Sequence, residues 1–334
     1  PNELMMERER ARKADPSLIR RLKGRLLFLG VTDTKKIIGY VASGTSQITS
    51  EFRNLKYPNA FGAFNNIPLQ NSITEDQSRK ELLKELRRIS QKGWIDSKQL
   101  SESEGLEECN ARNCGGYTLE AELGIPKNSE AKPDFLGWEV KQHTVSKTTI
   151  FTCEPDGGLF KELGTKSFLF KYGYPDKNGV MDRINFGGYY KLNKPAKATN
   201  MTMKLDGFNH DEKKIENAKG TLFLEGEQGE IISSWSFSKL LEHLNNKHRK
   251  AAYVPAECRM EPSRQYRYSN KVKLCYNNKL ELFLGEIING RLTLEPGIKI
   301  ENAYSNPKPK QRHQFRINPN YIESLYTGHE VVTV

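Results

Sequence analysis

Residues 133–143 read Pro-Asp-Phe-Leu-Gly-Trp-Glu-Val-Lys-Gln-His, and no other stretch of the 334-residue chain constrains its chemistry as tightly. Side chains alternate faces along a strand, so Glu139, Lys141 and His143 share one face while Trp138, Val140 and Gln142 share the other. Asp134, delivered from the turn at Gly137, reaches the same edge as Glu139. Two carboxylates and an amine then converge. Mg2+ binds one or two carboxylates and fills its shell with water and phosphate oxygens. A lysine beside a metal-bound water stabilises or helps generate hydroxide, and it neutralises charge on a phosphate under attack.

Just upstream, residues 118–123 (Thr-Leu-Glu-Ala-Glu-Leu) predict a short helical turn stopped by Gly124 and Pro126, with Leu119 and Leu123 on its buried face. Glu120 lies off that face and is a further carboxylate for the metal, whereas Glu122 has less reason to serve. P-D-x4-E-x-K alone is common enough on exposed strands to be a solvated charge pattern. The joint order is more specific: a Gly-Gly turn, L-E-x-x-L-G on a helix, then P-D-x-x-G-W-E-x-K on a strand.

The balance of 52 basic against 41 acidic residues gives a net charge of +11. Such a surface attracts polyanions in a salt-dependent way, so nucleic acid leads the candidate partners. No apolar run approaches the roughly 18 residues of a membrane span, and PNELMMERERARK has no apolar segment behind its charges. A membrane location and a secretory signal are therefore not expected. Cys109, Cys114, Cys153, Cys258 and Cys275 contain no C-x2-C pair, which signals neither a disulfide framework nor a zinc ribbon and fits a reducing cytoplasm.

Along the chain, a charged arm to Asp15 precedes a small β-rich unit: RLLFLGV, KIIGYVAS and a third extended run near SQITSEFRNL. Residues 57–71 read as loop, placing a boundary near Ser72. Thr74-x-x-Gln77 caps a helix bearing Leu82, Leu83, Leu86 and Ile89, stopped at Gly93, and a second helix runs from Ser236 to Lys247. TTIFTCE, KSFLFKYGY, GTLFLEG and AAYVPAE read as extended. KLELFLGEI and RLTLEPGI read as a hairpin around Asn289-Gly290. The class is α/β in the broad sense, mixed α+β with a mixed sheet. Residues 1–72 form the arm and β-rich unit, and the helices and mixed sheet occupy 73–334. His243 and His248 are expected to face solvent.

GWI, GGYTLEAELGI and PDFLGWEVK stand in an order that resembles the MvaI/BcnI-type restriction endonucleases and, more distantly, the mismatch-repair nicking endonuclease MutH, both PD-(D/E)XK nucleases. The likeness spans roughly residues 75–300 and is sharpest over 93–143, and it implies a catalytic lobe over 73–195 and the rest of the core with a DNA-recognition lobe over 196–334. The resemblance implies metal-binding carboxylates at Asp134 and Glu139, a catalytic lysine at Lys141 and a helix carboxylate at Glu120. It also implies a Mg2+-dependent type II enzyme that cuts double-stranded DNA at a short, C/G-rich, nearly palindromic site. Such an enzyme would be a monomer nicking each strand in turn, with a cognate DNA methyltransferase as functional partner. The rival readings are a MutH-like nicking endonuclease and a DNA-binding module that keeps the fold without the chemistry. His143, Arg259, Arg264, Arg267, Lys271, Lys273, Lys310 and Arg312 are the expected DNA contacts. Arginine and lysine are the usual readers of guanine, and those named are interleaved with Tyr266 and Tyr268 or clustered with Lys308, His313 and Arg316. His143 is included for its place on the face of Glu139 and Lys141, within reach of phosphate or a metal-bound water.

Overall fold

The computed structural model describes residues 24–31, 36–54, 60–61, 64–65, 74–111, 113–127, 133–144 and 147–334. The chain forms two compact units, Pro1–Ser72 and Ile73–Val334. The charged arm and most of the loop at 57–71 fall outside the described residues.

In the first unit, β1 (Leu26–Val31) and β2 (Ile37–Ala42) form an antiparallel hairpin with Leu26 opposite Ala42. The run after it is a helix rather than the expected third strand: α1 (Gln47–Asn54). The Ser46 hydroxyl accepts from the Thr49 amide at 3.3 Å, the geometry of a helix N-cap. Phe52 packs edge-on against Phe28 of β1.

The second unit begins with α2 (Glu75–Gln91), entered through the Thr74/Gln77 capping box, with Leu82, Leu86 and Ile89 buried. It packs on a sheet ordered β15 (Tyr326–Thr333), β12 (Lys271–Asn278), β10 (Lys250–Arg259), β11 (Gln265–Tyr268), β3 (Trp94–Asp96). β4 (Glu139–His143) joins β10 as a parallel partner, with Glu139 opposite Ala251 and Lys141 opposite Tyr253. Ala251 and Tyr253 of β10 face the larger core and Ala252 and Val254 the smaller one, and a strand covered on both faces reads as a continuous apolar run.

A second sheet contains β5 (Thr148–Thr152), β14 (His313–Ile317), β13 (Leu292–Glu301) and β6 (Arg183–Gly187). A third is the meander β7 (Thr202–Asp206), β8 (Thr221–Glu225), β9 (Ile231–Ser236). The larger core lies between these sheets and three helices: α4 (Leu159–Tyr172), α5 (Phe237–Lys247) and α6 (Leu280–Ile288). A smaller core lies under β4, β10 and α2. No helix among the described residues is long and apolar enough to cross a membrane.

Two segments differ from the expected strands for one physical reason, the period of their apolar residues. Leu280, Phe283, Leu284 and Ile287 are buried in α6 at i, i+3, i+4 and i+7, a helical spacing. Asn289-Gly290 ends this helix, with Gly290 at φ 68°, as a C-terminal cap rather than a hairpin turn. KSFLFKY likewise lies in α4, where Phe168 and Leu169 face the core. Gly164, at φ 69°, bends that helix at its middle.

Cys109 and Cys114 form a disulfide, with Cα atoms 5.7 Å apart, where no disulfide framework was expected. The pair is local: five residues separate a short strand (Gly105–Glu108) from the start of α3 (Cys114–Glu122), and both half-cystines are buried in the smaller core.

Candidate active site

The turn before β4 sets the site. Phe135 and Trp138 exchange backbone hydrogen bonds at 2.9 and 2.8 Å, with Leu136 at φ 49° and Gly137 at φ 84°. Positive φ at both central positions is the tightest hairpin geometry. Leucine rarely adopts it, so this turn holds local strain beside a functional strand. The Trp138 side chain is 1% exposed, donates to Ser78 Oγ at 3.3 Å and locks the apolar face of β4 into the core. The chain folded back by the turn lets Asp134 Oδ2 accept from the Val140 amide at 3.0 Å, which fixes this carboxylate beside Glu139.

Glu139 is buried, and its Oε1 lies 2.8 Å from Lys141 Nζ. Its Oε2 has no hydrogen-bond partner among the described residues, although Lys247 Nζ approaches to 3.9 Å. Burial opposes the charge on Glu139, but Lys141 and Lys247 hold its carboxyl below the usual range. Burial also opposes the charge on Lys141, and Glu139, Asp134 and Glu120 more than restore it. Asp134 behaves in the opposite way: burial and the neighbouring Glu139 push it up to about 7.

Glu120 comes from α3. The start of that helix lies so close to β4 that a Cβ at Gly115 would meet Gln142 Oε1 at 2.7 Å. Thr118 ties the helix to Lys98, accepting from its amide at 3.0 Å and donating to its carbonyl at 3.1 Å. Burial raises the Glu120 carboxyl, partly offset by Lys141. Glu120, Asp134, Glu139, Lys141 and Lys247 line one cleft of about 520 Å³. Glu122 points elsewhere, into Lys98, Lys92 and Arg88 at 2.6, 2.7 and 3.3 Å. Burial opposes its charge, but Lys92 and Lys98 bring its carboxyl down to about 2. Glu122→Ala should therefore lower thermal stability by several degrees, read from melting curves, because it strands three cations.

Lys247 was not singled out from the sequence. It ends α5, whose buried positions Phe237, Leu240 and Leu244 repeat at helical spacing, and the next position in that series is His248. His248 is accordingly fully buried, not solvent-facing as expected, and its Nδ1 lies 3.4 Å from the Tyr326 hydroxyl. Burial and then Lys141 bring its imidazole down to about 3. His243 is half-buried and stacks on Phe151. The apolar spacing of α5 carried the signal for both departures.

The expected DNA contacts separate into groups. His143 lines the cleft and an adjoining groove of about 840 Å³, with Nδ1 held 3.1 Å from the Thr144 carbonyl. Arg267 lines that groove and pairs with Glu257 at 2.7 Å. Arg267 and Arg259 both lie over the Trp94 ring, at 5.0 and 4.5 Å. Arg264 donates to the Ala111 carbonyl at 2.9 Å, and Lys271 is exposed. Lys273 pairs with Glu323 at 2.7 Å and Lys310 with Glu301 at 3.3 Å, while Arg312 is exposed. His313, grouped with the basic cluster by sequence, is 1% exposed and packs on Phe160 and Trp235.

The donor set of the cleft consists of hard oxygens. No three His, Cys, Asp or Glu side chains among the described residues stand close enough to cage a metal by themselves. Mg2+ does not require such a cage, since it keeps waters and takes substrate phosphate oxygens. Glu139 Oε2 accepts no hydrogen bond among the described residues and the neighbouring Asp134 carboxyl resists ionisation, so Lys141 and Lys247 leave room for a further positive charge, which a divalent cation fits.

Residues 83–326 match the family model of the MvaI/BcnI restriction endonuclease family. The chain belongs to that family. A solved structure described as a restriction endonuclease MvaI–cognate DNA substrate complex is 20% identical, with a TM-score of 0.61, and the match covers 77% of this chain and 99% of that one. MvaI in the absence of DNA is 19% identical over 79% and 100% of the two chains, with a TM-score of 0.43. Curated proteins include no match to the sequence. The mixed α+β fold of the second unit is thus a restriction-endonuclease-like fold, and its P-D-x4-E-x-K strand occupies the cleft of a restriction endonuclease family member.

Proposed function

We propose that the protein is a type II restriction endonuclease that hydrolyses phosphodiester bonds in double-stranded DNA with Mg2+ as cofactor. The observation that carries this reading is the Glu139–Lys141 contact at 2.8 Å, facing Asp134 in an open, basic-walled cleft. Asp134 and Glu139 would hold the cation, with Glu120 as a third carboxylate of the same cleft. When bound, the cation polarises a phosphate oxygen and lowers the pKa of a coordinated water.

The protein's own groups do the rest. Lys141, kept charged by three carboxylates, presents an ammonium to the scissile phosphate and to the water that attacks it in line with the leaving 3′ oxygen. Lys247 adds a second positive charge near the other oxygen of Glu139. The products carry 5′-phosphate and 3′-hydroxyl ends. His143, Arg259, Arg264, Arg267, Lys271, Lys273, Lys310 and Arg312 supply contacts to bases and backbone, with Arg267 and His143 along the groove adjoining the cleft. The recognised site is short, C/G-rich and nearly palindromic. A cognate DNA methyltransferase protects the host site without touching this chain, and the enzyme works in the cytoplasm.

One P-D-x4-E-x-K set supports cutting by a monomer that engages the two strands in turn. A plasmid bearing one target should therefore pass through an open-circular form before it becomes linear, at a rate linear in enzyme concentration. Linear product without a nicked precursor, together with a dimer in sedimentation, would overturn the monomer reading. Absence of any Mg2+-dependent cutting on plasmids covering all short sites would overturn the function.

A further inference from the structure

The loop after β6 carries a charge pattern that the catalytic reading does not use. Between Gly188 and Leu205 the chain has four lysines, Lys191, Lys194, Lys197 and Lys204, and no carboxylate. Lys204 faces Glu225 at 3.9 Å. The other three have no ion-pair partner among the described residues, and Lys194 and Lys197 are exposed.

This loop is held in one shape. The Tyr190 amide donates to the Leu294 carbonyl at 3.0 Å, the Asn193 amide to Met203 at 2.8 Å and the Ala196 amide to Met201 at 2.9 Å. The buried Tyr190 side chain is bonded to Thr199 at 2.8 Å. Three cations on a fixed loop with no ion-pair partner among the described residues repel one another, and water offsets this only in part; Glu227, which meets the loop, accepts from Asn200. Such an arrangement favours an anionic ligand that spans all three.

The loop is also continuous with the cleft. Lys147, which lines the cleft, sits 3.7 Å from the Tyr189 ring centre, and Lys191 approaches the same ring at 5.6 Å. Lys147 and Arg316, another cleft residue, share one carboxylate, Glu295, at 2.7 and 2.9 Å. Two cations on one anion leave a positive surplus at the cleft wall, from which the ring of Tyr189 leads to the lysine loop.

We propose that Lys191, Lys194 and Lys197, continuing the cleft wall through Lys147 and Tyr189, form a cationic strip that seats the sugar-phosphate backbone of duplex DNA where it leaves the catalytic cleft. The inference rests on the endonuclease reading above. It adds a backbone track that does not coincide with the Arg259–Lys273 and Lys310–Arg312 clusters. A contact made only to phosphates positions the duplex without reading its sequence.

The test is binding in Ca2+ over a salt series, comparing wild type with Lys191→Gln/Lys194→Gln/Lys197→Gln and with the milder Lys194→Gln/Lys197→Gln, all checked by melting temperature. On a long duplex the triple variant should bind about tenfold or more weakly on every sequence, with a salt slope shallower by roughly two to three units, since each lost phosphate contact removes about 0.9. The double variant should lose a proportionate share. As the duplex is shortened from the end that lies along the strip, the difference between variant and wild type should vanish. Equal affinity and slope for wild type and both variants on long DNA would overturn the strip. So would a deficit that persists undiminished on the shortest duplex, because the lysines would then act elsewhere. A wild-type protein that binds no DNA at all would instead refute the endonuclease reading itself.

Discussion

Lys141→Ala is expected to lower Mg2+-dependent DNA cleavage by roughly 10²–10⁴-fold, the usual contribution of a positioned group acting on proton transfer or charge in the transition state. DNA binding in Ca2+ should survive. The geometry supports so large an effect because Lys141, besides neutralising Glu139, presents its ammonium to the cleft. Its ammonium lies within 2.8 Å of Glu139 and opens to the cleft, with its side chain 20% exposed. The substitution also leaves Glu139 buried with only Lys247 nearby at 3.9 Å, so some loss of stability accompanies it. Cleavage rates should therefore be taken below the melting transition of the variant. Cleavage by Lys141→Ala at the wild-type rate would remove the lysine from the mechanism and leave the family membership untouched.

The strand that carries this lysine was legible because two periodicities coincide in it. Alternation put Glu139 and Lys141 on one face, and a glycine two residues before Glu139 marked the turn that returns Asp134. What could not be read locally was the company these groups keep. Lys247 arrives from a helix more than a hundred residues downstream, and His248 is buried because α5 continues its apolar stripe one position past the expected end. The errors elsewhere have a common cause. An apolar run flanked by Asn-Gly fits a strand and hairpin as well as a helix and cap, and only the i, i+3, i+4, i+7 spacing of Leu280, Phe283, Leu284 and Ile287 separates them. The local Cys109–Cys114 pair escaped a rule built for zinc ribbons and disulfide frameworks. Net positive charge pointed to a polyanion, but composition does not distinguish cations that have a carboxylate partner from those that do not. Lys273 and Lys310 have carboxylate partners, whereas Lys191, Lys194 and Lys197, which have no ion-pair partner among the described residues, gave no sequence signal beyond their spacing.

Asp134→Asn is expected to abolish cleavage and, without divalent metal above neutral pH, to make the protein more stable than wild type. Burial and the charge of Glu139 push the Asp134 carboxyl up to about 7, against about 3.9 for an aspartate in an unfolded chain. Between these values the native state keeps a proton that the unfolded state has released, so the wild type loses stability as pH rises from about 4 through 7. Below that window the carboxyl is protonated in both states and the loss is absent. At one pKa unit per about 1.4 kcal/mol the full loss is bounded near 4 kcal/mol, and partial solvent access to the cleft reduces it. An amide cannot ionise, so the variant should lack this slope, match wild type near pH 4 and exceed it by several degrees in melting temperature at pH 8. Added Mg2+ should reverse the order. A cation that binds only the native state stabilises it by mass action, and the wild type has both carboxylates to hold it. Chemical-denaturation or thermal curves at pH 4.5 and 8, with and without Mg2+, give all four arms. A variant that is less stable than wild type at pH 8 in chelator would show that Asp134 supports the fold rather than burdening it, and the assignment of this carboxylate to a cation site would fail with it.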